Sequence, residues 1–250
     1  AQICAQLFLL LGLLELTGRA RGVLVGASVG FAVLSRANVV AALPALVLLL
    51  IDRHAVRIGL RRFLDRAAVR HASLFAFGLA LPLGIEMALN YARFGNILDT
   101  GYDTASKIYT DRLTYGHMYD LRYISKHLYV ALFSGWEYVD EWPFVKPSPE
   151  GLAVVFTSPI LAYAFAASWR DRTVRLLWFA TVLTAMLIVP YFTQGWVQFG
   201  YRYLLDALPY LIVLTALGMA NKSRRAITAL LLFSVLSNWL GVYWGKKLGW

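Results

Sequence analysis

Residues 22–51 read GVLVGASVGFAVLSRANVVAALPALVLLLI, an apolar stretch interrupted only by Ser28 and by a polar cluster at 35–38. A transmembrane helix needs about 20 apolar residues, so this stretch is too long for one ordinary span. It could form one long, tilted helix, or a hairpin of two short helices at 22–34 and 39–51. We favour the hairpin, because Arg36 in the middle of a bilayer would cost about 2.5–3.5 kcal/mol. Irregular backbone is tolerated where it lines a watery cavity.

The composition of the whole chain extends this interpretation. Hydrophobic residues make up 59% of the 250 residues and charged residues only 15%. Soluble domains are about 45–50% apolar and about 25% charged, so a soluble protein is excluded. We predict an all-α fold, a polytopic transmembrane helix bundle with a long extracytoplasmic loop.

The net charge of +10 comes from bases that stand in short clusters between the apolar runs. Such clusters are typical of cytoplasmic loops. No nucleic-acid-binding motif accompanies them, so we expect no nucleic-acid partner. The single cysteine, Cys4, lies inside an apolar run and can form no internal disulfide.

The apolar runs and basic clusters divide the chain into three parts. Residues 1–93 are predicted to form transmembrane helices, including the hairpin at 22–51 and a basic cytoplasmic segment at 52–72. Residues 94–150 form an extracytoplasmic loop rich in aromatic residues, which favour the membrane interface. Residues 151–250 form further transmembrane helices. Individual spans are expected at 3–16, 73–91, 151–168, 176–192, 203–220 and 227–243.

Three further features accompany this topology. Bases and apolar residues interleave in the segment at 52–72, which predicts an amphipathic helix on the cytoplasmic surface. Lys246 and Lys247 fall on the outer side, against the positive-inside tendency. The chain begins at Ala1 inside an apolar run, so we expect a fragment with further residues upstream.

The first candidate site lies at the turn of the predicted hairpin, where Arg36 and Asn38 stand between apolar segments. The planar guanidinium of Arg36 could bind an anionic phosphate. Alternatively, this arginine snorkels to the interface or pairs with a buried carboxylate such as Glu86. The residue types leave both interpretations open.

The second candidate site begins where the span at 73–91 leaves the membrane. Asn90 and Arg93 offer hydrogen-bond donors there, and Tyr102 follows after two glycines that permit turns. The alternative is an ordinary helix end with an interfacial aromatic belt, which residue types alone favour.

The third candidate site is at 198–206. Tyr201 and Arg202 stand just before a predicted span, at its positive N-terminal end. A base there opposes the helix dipole, whereas a bound anion would be favourable. Alternatively, Arg202 pairs with Asp206 four residues later.

The predicted outer loop also contains acids and two histidines, His117 and His127. None of these residues has a metal-ligand spacing, so we expect a solvated loop and predict no metal site.

The quoted motifs occur in an order that resembles a known family. Glycines and then Leu-Ser-Arg-Ala-Asn lie within 26–38, Asn-Tyr-Ala-Arg-Phe-Gly at 90–95 precedes Thr-Gly-Tyr at 100–102, and Phe-Gly-Tyr-Arg-Tyr at 199–203 precedes Leu-Pro at 208–209. This resembles the middle and C-terminal part of polytopic GT-C-type glycosyltransferases. This family includes the protein mannosyltransferase and aminoarabinose transferase relatives found in bacteria.

The resemblance implies a multi-pass enzyme of the bacterial inner (cytoplasmic) membrane. It would transfer a sugar, with inversion, from a polyprenyl-phosphate donor to a lipid, protein or glycan acceptor on the extracytoplasmic face. Arg36 and Arg202 would contact the donor phosphate, and Asn90, Arg93 and Tyr102 would shape the cavity wall. The family's catalytic acid lies in its first outer loop, which nothing here matches, so the catalytic residue stays unknown and is expected upstream of Ala1. The sequence indicates no cofactor, and it does not show whether the enzyme requires a divalent metal.

Two other functions fit the same features. A lipid-linked sugar flippase or transporter would also use a broken helix near the bilayer midplane. The second alternative is a non-catalytic membrane subunit. The outward-facing arginines count against it. The large aromatic outer loop favours the transferase, because a transporter needs no such one-sided loop.

Overall fold

The computed structural model describes residues 1–55, 65–101, 108, 113–195 and 197–248. The described residues are predominantly helical, which confirms the predicted helical class, with one small two-stranded antiparallel ribbon. The α-helices are α1 (Gln2–Thr17), α2 (Gly22–Ser35), α3 (Leu43–His54), α4 (Arg66–Phe94), α5 (Ile124–Leu132), α6 (Val154–Thr157), α7 (Arg172–Ile188), α8 (Leu208–Met219) and α9 (Arg224–Leu248). The strands are β1 (Trp136–Tyr138) and β2 (Val145–Pro147), and 3₁₀ segments lie at Ala37–Ala42, Leu121–Tyr123, Pro159–Ala166 and Arg202–Asp206.

Three helical stretches of the described chain are long and apolar enough to cross a membrane: Ala37–His54, Arg66–Phe94 and Arg224–Lys247. The shorter helices α1, α2 and α8 are also apolar. At 29 residues, α4 is about 43 Å long, which exceeds the hydrocarbon thickness of about 30 Å.

The chain forms two compact units. Unit 1 comprises Ala1–Leu113, Arg175–Ala185 and Leu205–Pro209, and unit 2 comprises Thr114–Val174, Met186–Leu204 and Tyr210–Trp250.

In unit 1, α2 ends at Ser35 and the chain reverses through Arg36 and the 3₁₀ segment. The direction of α3 follows from its last residue, because the His54 Nε2 atom lies 2.7 Å from the carbonyl oxygen of Ala20, just before α2. The His54 ring also stacks on His71 near the start of α4, with centroids 3.5 Å apart. The end of α3 and the beginnings of α2 and α4 therefore lie together.

Three glycines let α2 approach α4 closely. Gly22, Gly26 and Gly30 are spaced four residues apart and so share one face of α2. A Cβ at Gly26 would overlap the backbone carbonyl of Phe75 on α4. Small residues at this spacing are common where membrane helices pack backbone to backbone.

The basic segment at 52–72 is only partly described. Arg53 lies in the last turn of α3, and Arg66 and Arg70 lie in the first turns of α4. The predicted amphipathic surface helix rests mainly on residues 56–64, which lie outside the described residues.

In unit 2, the stretch at 151–168, which the sequence predicts as a span, is not a continuous α-helix. After the four residues of α6, the chain continues as the 3₁₀ segment Pro159–Ala166. Pro159 has no N–H to donate and its ring clashes with the preceding turn, so an α-helix cannot pass through it unbroken. On α9, Ser237 Oγ donates to the Phe156 carbonyl at 2.6 Å and Asn238 Nδ2 to the Thr157 carbonyl at 2.8 Å. These bonds satisfy carbonyls that the broken helix leaves open.

The segment predicted as an outer loop is also more ordered than expected. It contains α5 and the β1–β2 ribbon, in which Trp136 pairs with Pro147 and Tyr138 with Val145. Lys126 pairs with Glu150 at 2.9 Å, both within this segment.

Candidate ligand-binding pocket

Arg36 is the residue at which α2 ends. Its backbone is extended (φ −157°, ψ 103°), and its N–H donates to the carbonyls of Ala32 and Val33, which closes the helix. The change from helical to extended backbone turns the Arg36 side chain away from the axis of α2.

The guanidinium of Arg36 is anchored by Asp206, within unit 1. Its Nε atom lies 3.0 Å from each carboxylate oxygen of Asp206, and the Asn38 amide donates to the same carboxylate at 3.4 Å. The side chain of Asp206 is 1% exposed and that of Arg36 is 21% exposed. The alternative in which Arg36 pairs with Glu86 is wrong, because the partner is a carboxylate 170 residues later. The pairing of Arg36 with a buried carboxylate is itself as anticipated.

Asp206 was considered in the sequence only as a partner of Arg202. In the structure it is the acceptor for the side chains of Arg36 and Asn38. A buried carboxylate is tolerated only when such partners compensate its lost hydration.

A pocket of about 260 Å³ lies beside this turn, within unit 1. It is lined on its polar side by Ser35, Arg36, Glu86, Asn90, Arg93 and Thr100. The structure thus brings together three of the predicted site residues, Arg36, Asn90 and Arg93. Glu86, Asn90 and Arg93 follow one another at intervals of four and three residues, so one face of α4 supplies them all.

The end of α4 is shaped by a glycine, as the sequence indicated. Gly95 adopts the left-handed conformation (φ 71°) and its N–H donates to the Tyr91 carbonyl, which ends the helix. Asn90 is 8% exposed, and its Nδ2 donates to the carbonyl of Ile97 at 3.3 Å. This bond folds the following turn back toward the pocket wall.

Two opposite charges in the pocket have no ion-pair partner among the residues that the structure describes. Within the described part of the chain, neither the Glu86 carboxylate nor the Arg93 guanidinium forms an ion pair or a side-chain hydrogen bond. Glu86 is half-buried, whereas Arg93 is exposed. The pocket can therefore offer a cation and an anion to a ligand.

In unit 2, Tyr201 belongs to a buried aromatic cluster around His127. The Tyr201 hydroxyl lies 2.6 Å from His127 Nδ1, and His127 Nε2 lies 2.8 Å from the carbonyl oxygen of Tyr191. A carbonyl can only accept, so Nε2 carries the proton and Nδ1 accepts from Tyr201. The ring of Tyr203 lies 6.0 Å from His127.

His127 was expected in a solvated loop, and that prediction is wrong, because the residue is 1% exposed. Burial lowers the pKa of the His127 imidazole below its usual value, although the bond to Tyr191 opposes this effect. The segment around His127 is polar on average, which is why the sequence indicated a solvated loop. However, His127 lies on α5, and this helix buries one face. The signal that was available is the local pattern of apolar residues around position 127.

The remaining predicted site residues are Arg202 and Tyr102. Arg202 is exposed, and its guanidinium carbon lies 5.6 Å from the centroid of the Tyr203 ring, within unit 2. Tyr102 lies outside the described residues. Among the residues that the structure describes, no group of three or more His, Cys, Asp or Glu side chains could hold a metal ion.

Comparison of the chain with protein-family models, with curated proteins and with solved structures finds no match.

Proposed function

We propose that the chain is part of a multi-pass membrane glycosyltransferase of the bacterial cytoplasmic membrane. It would transfer a sugar from a polyprenyl-phosphate donor to an acceptor on the extracytoplasmic face. The observation that supports this most is the polar pocket of unit 1. It is lined by Arg93, in the last turn of the membrane-length helix α4, and by Arg36, at the end of α2.

Exposed apolar side chains support the membrane location. On α1, Ile3, Leu7, Leu11 and Leu14 are between 44% and 79% exposed and form one stripe along the helix. On α4, Phe77 and Leu81 are 74% and 68% exposed. Apolar surface of this extent would be unfavourable in water, whereas lipid chains would cover it at no cost.

The pocket fits the head group of such a donor. Arg36 and Arg93 line it, and a guanidinium can bind phosphate oxygens through two parallel hydrogen bonds. Because Asp206 holds the Arg36 side chain, little conformational entropy remains to be lost when a phosphate binds. A phosphate contact by Arg202 stays a prediction from the resemblance, because Arg202 is not among the residues that line this pocket.

The chemistry needs few protein groups. The hydroxyl of the acceptor attacks the anomeric carbon, the bond from that carbon to the phosphate oxygen breaks, and the phosphate leaves with the electron pair. Arginines stabilise the charge that grows on the leaving phosphate. A carboxylate takes the proton of the attacking hydroxyl as general base. That carboxylate is not assigned in this chain.

The test is sugar transfer by the full-length protein in proteoliposomes that contain a polyprenyl-phosphate-linked sugar together with a lipid, protein or glycan acceptor. Formation of free polyprenyl phosphate is the readout. The variant Arg202→Ala is expected to abolish transfer without loss of expression, whereas Arg19→Ala, an exposed base at the opposite end of unit 1, is expected to leave it unchanged. Turnover by Arg202→Ala at normal donor affinity would exclude the phosphate-contact role of Arg202.

The second candidate function is a lipid-linked sugar flippase. The break between α2 and α3 at Arg36 favours it, because transporters bind substrates at such broken helices. In the same proteoliposomes, a flippase would move the intact donor across the bilayer and would release no polyprenyl phosphate.

A further inference from the structure

Among the described residues that line the pocket, Glu86 is the acidic one, and it lies in the apolar part of α4. Its neighbours Leu81, Ile85 and Leu89 are 68%, 39% and 39% exposed, on the helix that we place in the membrane. An ionisable group at such a position is costly and usually functional. Because no described residue pairs with its carboxylate, Glu86 has no structural role in the described part of unit 1 that would offset this cost.

The positions of Glu86 and Arg93 along α4 set the size of the ligand. They are separated by seven residues, which corresponds to a rise of about 10 Å along one face of the helix. A ligand that contacts both must therefore carry an anionic group at one end and hydrogen-bond donors at the other. Asn90 lies between them in the same wall.

We propose that Glu86 binds hydroxyl groups of the donor's sugar, while Arg93 contacts the phosphate that carries this sugar. An ionised carboxylate only accepts hydrogen bonds, and its two oxygens can accept from neighbouring hydroxyls at once. The pocket thus selects a hydroxylated sugar that is linked to a phosphate. This inference rests on the proposed glycosyltransferase function and names the residue that determines its sugar specificity.

The chemistry explains why a carboxylate suits this place better than an amide. Hydrogen bonds to an ionised acceptor are roughly twice as strong as bonds between neutral groups. A phosphate bound at Arg93 brings its negative charge about 10 Å from Glu86, so their repulsion is far weaker than it would be in contact.

The experiment measures binding of two kinds of probe to the full-length protein in nanodiscs. One probe is a polyprenyl phosphate without sugar, and the other is a panel of the same lipid phosphate carrying glucose, mannose, galactose or arabinose. The variants are Glu86→Ala, Glu86→Gln and Arg93→Ala. The control is Glu137→Ala, which removes a glutamate that pairs with Lys146 in the β1–β2 ribbon.

For Glu86→Ala we expect the affinity for the best sugar-bearing lipid to fall by about tenfold or more, from the loss of bonds to a charged acceptor. Its affinity for the bare lipid phosphate stays at the wild-type value. Glu86→Gln keeps the shape of the side chain and loses less affinity. Arg93→Ala weakens binding of both probes, and Glu137→Ala weakens neither.

Two results would overturn the assignment of Glu86 while the proposed function stands. One is a Glu86→Ala protein that binds every sugar-bearing lipid like the wild type. The other is an equal loss for bare and sugar-bearing lipid, which would show that Glu86 does not contact the sugar. A wild-type protein that binds neither probe would instead contradict the glycosyltransferase proposal itself.

Discussion

Arg36 interrupts an apolar stretch that is otherwise long enough for a single membrane helix, and its charge is matched by Asp206. The sequence could indicate that Arg36 needs an acceptor, because an unpaired guanidinium in a bilayer is costly. It could not identify Asp206, since 170 residues separate the two and hydropathy carries no information on distant pairs. Glu86, which is closer in the sequence, was the wrong candidate.

The pair makes a prediction for stability. Asp206→Ala leaves the guanidinium of Arg36 without its buried acceptor and is expected to lower the free energy of unfolding by about 3 kcal/mol. Replacing both members, in Arg36→Met with Asp206→Leu, is expected to recover most of this loss. Unfolding in detergent micelles titrated with SDS measures both variants.

The control is Lys146→Ala, which breaks the pair between Lys146 and Glu137 at 3.3 Å, where the two side chains are 37% and 44% exposed. Exposed pairs contribute about 0–1 kcal/mol, so this variant should stay near the wild type. Losses from Arg36→Met and Asp206→Leu that simply add in the double variant would argue against a coupled pair.

His127 makes stability depend on pH. Because its pKa is lower in the folded protein than the value of about 6.5 in an unfolded chain, the unfolded state binds more protons below pH 6.5. Stability therefore falls as the pH decreases from 6.5 toward the folded pKa. We therefore expect His127 to lower the stability of the protein when the pH falls from 7.5 to 5.5.

Unfolding of the wild type and of His127→Gln at the two pH values checks this prediction. The glutamine can still donate to the Tyr191 carbonyl but does not titrate, so the variant should lose less stability on acidification. An identical pH dependence in the two proteins would show that His127 is not the titrating group.

At the scale of elements, the positions of the apolar helices follow from the sequence, whereas their breaks follow only in part. The span predicted at 3–16 is α1 (Gln2–Thr17), because a continuous apolar run leaves little choice of position. The break at Arg36 was visible from its charge. The 3₁₀ segment Pro159–Ala166 was not recognised, because hydropathy averages over the proline that ends α6.

The contact between α2 and α4 depends on glycine at position 26. Gly26→Ala would place a Cβ against the Phe75 carbonyl, and the two backbones must separate to make room. We expect a loss of about 1–3 kcal/mol in the free energy of unfolding, as for other overpacked sites.

Gly84→Ala is the matched control for this substitution. Gly84 also lies within a helix, α4, but a Cβ there would meet no atom within 4 Å. Alanine is favoured over glycine in helices, so this variant should be neutral or more stable by up to about 1 kcal/mol. Equal effects of the two substitutions in SDS unfolding would show that close packing is not the reason for Gly26.

At the scale of the molecule, the sequence places basic clusters on one side of the membrane and the candidate site on the other. Lys246 and Lys247 were the exception, and the structure gives a reason for one of them. In unit 2, Lys247 pairs with Glu141 at 2.8 Å, a residue of the predicted outer segment. A paired lysine is a weaker signal for the cytoplasmic side than an isolated one.

The pocket shows how far a sequence can define a site. Arg36, Asn90 and Arg93 were identified because each is a polar residue at the edge of an apolar run. The sequence suggests Glu86 only as a partner for Arg36. It does not show that Arg36 already pairs with Asp206. The selection of pocket residues thus depends on which charges pair elsewhere, and this is a property of the folded chain.

We propose that α4 crosses the membrane and presents the pocket on the extracytoplasmic side. Ala67 and Ala92 are exposed residues near its two ends, about 37 Å apart along the helix. Single cysteines at these positions, in a Cys4→Ala background, can be labelled with a membrane-impermeant maleimide. The label is applied to spheroplasts, whose outer membrane and cell wall have been removed but whose cytoplasmic membrane is intact. We expect labelling of Ala92→Cys at once, and of Ala67→Cys only after the membrane is permeabilised. Labelling of both cysteines from the same side, or of Ala67→Cys alone, would contradict this proposal.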